Sequence, residues 1–183
     1  MQHNIYIICG PSGAGKWATC DYLARKMNGL IWRPSDLTRE VLREFSIADT
    51  RENLSKMMHV LRNRFTQDIY VYAAKEYIEK HHDAPIFFDG IRKTHFIKRL
   101  QESYDCKSIF LDATLRIRYD RLKERWDKSW ESEMSYEQFL SDENLESEKE
   151  NNAIRELADI VIENNSTKEE LFEQIEIYIK NHA

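Results

Sequence analysis

The most constraining feature of this chain is one seven-residue window, Gly10-Pro11-Ser12-Gly13-Ala14-Gly15-Lys16, which holds three of the five glycines in 183 residues. It has the form G-x4-G-K. An apolar run, Ile5-Tyr6-Ile7-Ile8-Cys9, precedes it, and a helical pattern from Lys16 to Asn28 follows, with Gly29 just past its end. The apolar run is continuous and rich in β-branched residues, as a strand buried on both faces requires. A strand, a glycine loop and a helix in that order form the context of a P-loop, a cradle for phosphate groups. Glycines serve there because successive backbone N–H groups must turn inward around phosphate oxygens, a curvature that side chains obstruct. The helix N-terminus adds partial positive charge, and Lys16 a full one. At ordinary glycine usage the bare pattern arises by chance in roughly one chain of this length in twenty. The flanking strand and helix make coincidence far rarer.

The rest of the chain repeats the strand–helix alternation. Short apolar runs at Leu30–Trp32, Pro85–Asp89, Lys107–Leu111 and Asp159–Glu163 read as four more strands, with helical segments between them. In the stretch from Asp36 to about Lys80, Leu54, Met58, Leu61, Phe65, Ile69 and Tyr72 recur at three- and four-residue steps, one apolar helical face. Met57 and Met58 read as packing residues. Ser135 with Gln138, and Ser166 with Glu169, have capping-box spacing, and His81-His82 suits a helix C-terminus. Alternation of this kind implies crossover connections and a mostly parallel sheet covered on both faces. The expected fold is a three-layer α/β P-loop NTPase fold with a five-stranded parallel sheet, built as one domain over residues 1–183.

Composition narrows the function. With 27 basic and 32 acidic residues the formal net charge is −5, against the basic surplus that a duplex-DNA binder uses to neutralise phosphates. No apolar run approaches the roughly 20 residues of a membrane span, and the N-terminus lacks the basic n-region of a signal peptide. Cys9, Cys20 and Cys106 have no CxxC spacing and read as buried free thiols, so a cytoplasmic location is expected. The six histidines show no metal-ligand spacing. Charge is uneven late in the chain: six basic and three acidic residues lie between Arg116 and Lys128, and eight acidic and one basic between Glu131 and Glu150. Solvated helix faces account for the acidic run.

One residue departs from the motif. The position after the loop lysine should carry a hydroxyl to coordinate Mg²⁺, and here it is Trp17. Thr19 lies about 200° around the helix from that position and is a poor substitute. Asp89, ending an apolar strand, is placed to hold Mg²⁺ through water, since that ion commonly keeps several waters. Arginines follow the strands in turn: Arg39 after the second, Arg92 after the third, and Arg121 and Arg125 beyond the fourth. The carboxyl ends of parallel strands line one crevice, so residues just past the second and third can converge on the glycine loop. Phosphoryl transfer needs positive charge over both donor and acceptor phosphates.

Asp36-x-x-Arg39, Asp89-Gly90-Ile91-Arg92-Lys93-Thr94 and Asp120-Arg121-x-x-x-Arg125 resemble the three arginine-bearing motifs of adenylate kinase and other nucleoside monophosphate kinases. A closer likeness is to small dephospho-CoA-kinase-like nucleotide kinases, in which a segment similar to Thr50–Lys56, the Asp-Gly-Ile-Arg turn and the ending Ala158-Asp159-Ile160-Val161-Ile162 recur in the same order. The proline that adenylate kinases carry between Gly and Arg in the third-strand turn is missing, as is a long lid. The resemblance implies that residues 36–80 form a helical acceptor-binding region and residues 121–134 a short lid. It makes Arg39 and Arg92 acceptor-side residues and Arg121 and Arg125 lid residues.

The expected activity is ATP-dependent transfer of the γ-phosphoryl group to a (deoxy)nucleoside monophosphate, with ATP and Mg²⁺ as cofactors. Gly10, Ser12, Gly13, Ala14, Gly15, Lys16 and Trp17 would bind ATP, and Asp36, Arg39, Asp89 and Arg92 the acceptor. Lys16, Arg92, Arg121 and Arg125 would act in catalysis, and Asp89 on the metal. A dephospho-CoA kinase and a nucleotide-binding pseudokinase or regulatory switch are the alternatives, the second motivated by Trp17. Expected partners are small-molecule nucleotides, with room for a homodimer, and neither extended nucleic acid nor membrane. Trp126 and Trp130 read as partner-facing or partly buried rather than base-stacking.

Overall fold

The computed structural model describes residues 4–124, 135–143 and 146–182. Five strands, β1 (Ile5–Cys9), β2 (Leu30–Trp32), β3 (Ile86–Asp89), β4 (Cys106–Asp112) and β5 (Ile160–Glu163), form one sheet in the order β2-β3-β1-β4-β5. Every neighbouring pair is parallel. The helices are α1 (Lys16–Met27), α2 (Pro34–Glu44), α3 (Arg51–Arg64), α4 (Ile69–Lys80), α5 (Thr94–Gln101), α6 (Leu115–Lys123), α7 (Tyr136–Glu143), α8 (Glu146–Leu157) and α9 (Lys168–His182).

Each strand alternates its side chains between two cores, which explains why β1 is apolar throughout. Ile5, Ile7 and Cys9 join Phe88, Phe110 and residues of α4, α5 and α8 on one face. Tyr6 and Ile8 join Phe87, Ile109, Leu111 and residues of α1 and α9 on the other. The result is the three-layer α/β/α arrangement expected from the strand–helix alternation. All three cysteines are buried and free. No described helix is long and apolar enough to cross a membrane.

Several local expectations shift. Residues 36–80 resolve into three helices, and the turn between α3 and α4, where the Thr66 hydroxyl accepts from Asp68 N, resets the helical phase. Met58, Leu61 and Ile69 therefore pack against the core, while Phe65 and Tyr72 stand 74% and 56% exposed. At the end of α1, Asn28 takes the left-handed conformation (φ 51°). Gly29 is required for space instead, because a Cβ there would lie 2.6 Å from the Phe87 ring and 2.7 Å from the Pro85 carbonyl. The cap of α9 is Thr167, whose hydroxyl accepts from Glu170 N, one residue beyond the expected Ser166. Ser135 accepts from Gln138 N and His81 Nδ1 meets the Tyr77 carbonyl, as their positions implied.

The outer strand β5 is clasped at its entry. Asp159 accepts hydrogen bonds from the backbone N–H and the hydroxyl of Ser108, both at 2.7 Å, and returns its own N–H to the Ser108 carbonyl at 3.0 Å. Ser108 is fully buried in β4, so the clasp sets the register of β4 against β5. Replacing the carboxylate leaves two buried donors unsatisfied. Asp159→Ala should lower unfolding free energy by about 1–3 kcal/mol, read as a lower urea midpoint with an unchanged m-value.

Candidate functional site

The chain leaves β1 directly into the glycine loop. Gly13 and Gly15 have φ values of 79° and 100°, a region closed to most side chains. Space excludes a side chain as well. A Cβ on Gly13 would meet the Arg118 carbonyl at 2.6 Å, and one on Gly15 would meet the Asn164 amide nitrogen at 2.6 Å. Lys16 folds back over the loop, and its ammonium donates to the carbonyls of Gly10 and Pro11 at 2.7 Å each.

Two side chains distant in sequence hold the outside of this loop. Arg118, 4% exposed in α6, donates from Nη1 to the Ser12 carbonyl at 3.1 Å and from Nε to the Ala113 carbonyl at 3.2 Å. Its other terminal nitrogen pairs with Glu143 of α7, and its guanidinium lies 5.5 Å from the buried Phe139 ring. Asn164, 3% exposed just past β5, donates from Nδ2 to the Ala14 carbonyl at 2.9 Å. Arg121 buttresses Asn164 in turn, donating to its backbone and side-chain oxygens at 2.9 and 3.2 Å and to the Ser166 carbonyl at 3.2 Å. Burial holds the Arg121 guanidinium below the usual arginine range.

Asp89 ends β3 opposite Ile8 of β1. Its neighbour Phe88 faces the α4–α5 core and Phe87 the α1 core, so alternation turns Asp89 toward α1 and the loop. The carboxylate is 7% exposed and makes no hydrogen bond or ion pair among the described residues. Its charge reaches the buried thiols of Cys9 and Cys20. Burial pushes the Cys9 thiol up to about 12, Lys16 opposes that and Asp89 adds to it. These thiols are neutral packing groups at pH 7.

The acceptor-side candidates flank this centre. Asp36 bridges two guanidinium groups, accepting from Arg33 Nε at 2.7 Å and Arg39 Nη1 at 3.1 Å, while Arg39 also pairs with Asp49 at 3.1 Å. Arg92 is exposed and makes no ion pair or hydrogen bond among the described residues. It follows a turn in which Gly90 has φ 75° and Ile91 is buried. Glu150 of α8 accepts from Thr94 N and its hydroxyl at 3.4 Å and pairs with Lys93 at 3.4 Å, anchoring that turn from the other side. Arg125, Trp126, Trp130 and residues 125–134 of the expected lid lie outside the described residues.

Trp17 is 44% exposed, and the Arg33 guanidinium lies 4.5 Å from the centre of its ring. The hydroxyl of Thr19 is buried without a hydrogen-bond partner among the described residues. Among the described residues no group of three or more His, Cys, Asp or Glu could hold a metal. The buried carboxylate of Asp89 suits a hard ion of the kind that would arrive with a nucleotide.

Arg33, Arg118 and Asn164 were not evident from the motifs. Arg118 had one signal, since it shares a helix face with buried Leu122 four residues on. A cation on an apolar stripe needs a partner, and that partner lies 25 residues away.

Known proteins share this architecture. Shikimate kinase from Bacteroides thetaiotaomicron superposes with a TM-score of 0.61 at 13% identity, covering 96% of this chain and 98% of that one. Deoxyadenosine kinase from M. mycoides does so with a TM-score of 0.57 at 16% identity, covering 98% and 100%. At such identities the likeness is one of fold, and the fold is that of P-loop kinases. A curated UPF0200 protein from Hyperthermus butylicus (strain DSM 5456 / JCM 9403 / PLM1-5) is 23% identical over 121 residues, 66% of this chain and 64% of that protein, so the match spans just under two thirds of that relative's length. The sequence model of the AAA domain family matches residues 7–151, which run from β1 and the glycine loop into α8, and the chain belongs to that family.

Proposed function

We propose that this protein is an ATP-dependent phosphotransferase that moves the γ-phosphoryl group to a (deoxy)nucleoside monophosphate. The observation that carries this reading is the arrangement of one loop and two flanks. Glycines at positive φ and Lys16 form an anion cradle after β1, the carboxylate of Asp89, unpartnered among the described residues, lies beside it, and arginines stand past the ends of β2 and β3. The kinases of shikimate and deoxyadenosine that share the fold support phosphoryl transfer to a small molecule. Arg39 and Arg92 favour an acceptor that already carries phosphate.

In this reading the loop amides, the N-terminus of α1 and Lys16 bind the β- and γ-phosphates of ATP. Lys16 exchanges its two carbonyl partners for phosphate oxygens. Asp89 would hold a Mg²⁺ ion that arrives with ATP, and that ion would supply charge neutralisation. Asp36 serves the acceptor by orienting Arg39, because both its oxygens are taken by guanidinium groups. Arg92 meets the acceptor phosphate, and residues 36–80 supply the acceptor-binding region. Arg121 acts on the donor side by stiffening Asn164 against the loop. Nearly all the catalysis is positioning and charge stabilisation.

Trp17 favours a second reading, a nucleotide-binding switch without turnover. A coupled ADP-release assay over a panel of nucleoside and deoxynucleoside monophosphates and dephospho-CoA, with and without Mg²⁺, separates the two. Acceptor-dependent ADP release with a monophosphate is the expected result, and ATP binding with silence across the panel favours the switch. Lys16→Ala and Arg92→Ala should each lower turnover by on the order of 10²- to 10³-fold with far-ultraviolet circular dichroism unchanged. Near-normal turnover by Arg92→Ala rejects its place at the acceptor. Asn164→Ala, which removes the donor to the Ala14 carbonyl and one acceptor of Arg121, should weaken ATP binding about tenfold or more, read by calorimetry.

A further inference from the structure

The indole at position 17 removes an oxygen from the corner of the site where the β- and γ-phosphates and their metal meet. The structure puts a second charge at that corner. Trp32 of β2 pairs with Phe88 of β3, so Arg33 leaves β2 at the level of Asp89, the residue after Phe88. Trp32 is locked into the α4–α5 core, its ring 5.3 Å from that of Phe88 and 5.9 Å from that of Phe96. Strand alternation then turns Arg33 to the opposite face, the face of α1, the loop and Asp89. Burial raises the Cys20 thiol of α1, Asp89 adds to that, and Lys16 and Arg33 oppose it.

Two contacts hold the Arg33 side chain. Its guanidinium stacks on Trp17, 4.5 Å from the ring centre, and its Nε donates to Asp36 at 2.7 Å. The terminal nitrogens, with four N–H donors, make no hydrogen bond among the described residues. A planar fork held from behind by an aromatic face and a carboxylate, with its donors unused, suits a phosphate group.

We propose that Arg33 is a phosphate-binding residue of the transfer site, directed at the γ-phosphoryl group of ATP, and that Trp17 positions it. The pair takes over part of the charge that a hydroxyl-held metal supplies in other P-loops. Trp17 is thus an exchange of one device for another, and the site keeps its grip on the triphosphate when Mg²⁺ is scarce. This inference rests on the reading that the glycine loop holds ATP.

The test is calorimetric titration of the full chain with ATP and with ADP, in EDTA and in Mg²⁺, for wild type, Arg33→Ala, Arg33→Lys and Trp17→Thr. Wild type should bind ATP in EDTA. Arg33→Ala should lose about tenfold or more in ATP affinity there and less than about threefold for ADP, because ADP lacks the group that Arg33 meets. A role confined to folding moves both nucleotides equally. Arg33→Lys should recover part of the loss. Trp17→Thr should show the same ATP-selective loss in EDTA and a larger gain on adding Mg²⁺ than wild type. If Arg33→Ala binds ATP as wild type does, or loses ATP and ADP alike, the inference is overturned and the kinase reading stands. If Trp17→Thr binds ATP in EDTA as wild type does, the positioning role of the indole is overturned. If wild type binds neither nucleotide, both readings fall.

Discussion

A loop that turns its amides inward must turn its carbonyls outward, and those carbonyls need donors as much as a phosphate needs amides. The rest of the site depends on that constraint. The Gly10 and Pro11 carbonyls are met by Lys16, that of Ser12 by Arg118, and that of Ala14 by Asn164. Two of these donors arrive from 106 and 150 residues away in the chain. The cradle is therefore a product of the whole tertiary structure, although its glycines are contiguous. Arg118 is held by Glu143 and Asn164 by Arg121, so the loop rests on two braces that are themselves braced.

The sheet order supplies the convergence. β1 lies at the centre with β3 on one side and β4 on the other, and β2 lies beyond β3. The carboxyl ends of β2 and β3 open on the side of the glycine loop where open α/β sheets bind ligands. Arg118, past β4, and Asn164, past β5, hold the loop from behind. Charge follows the same division. Arg33, Arg39 and Arg92 stand in front and share only Asp36 and Asp49 as carboxylate partners among the described residues, whereas Arg118 and Arg121 behind the loop are committed to carbonyls and Glu143.

Much of this was legible in the sequence because it depended on local chemistry. The unbroken apolar run at residues 5–9, the glycine spacing and Asp89 at a strand end each carry their meaning within a few residues, and the five strands lie where the apolar runs are. Asp36 with Arg39, and the Gly90–Arg92 turn, were legible for the same reason. What escaped depended on distance or phase. Arg118 carried no role within the basic run because nothing near it in sequence announces Glu143. Phe65 and Tyr72 fit a helical period that the turn at Thr66–Asp68 interrupts. Thr167 displaced Ser166 by a single residue, within the usual uncertainty of a helix end. The place of Trp17 could be read only as the loss of a hydroxyl, since the residue that uses its indole lies on a different element.

The outermost strands carry a consequence of their own. β2 has three residues and β5 four, and β5 is preceded by the charge of Asp159 and ends in that of Glu163. A strand from another molecule aligning on either border would gain only a few backbone hydrogen bonds, against the entropy of ordering itself and the cost of stripping water from those carboxylates. The molecule thus discourages ribbon-like growth from its flanks, and its long apolar strands, β1 and β4, are kept inside where no foreign chain can reach them.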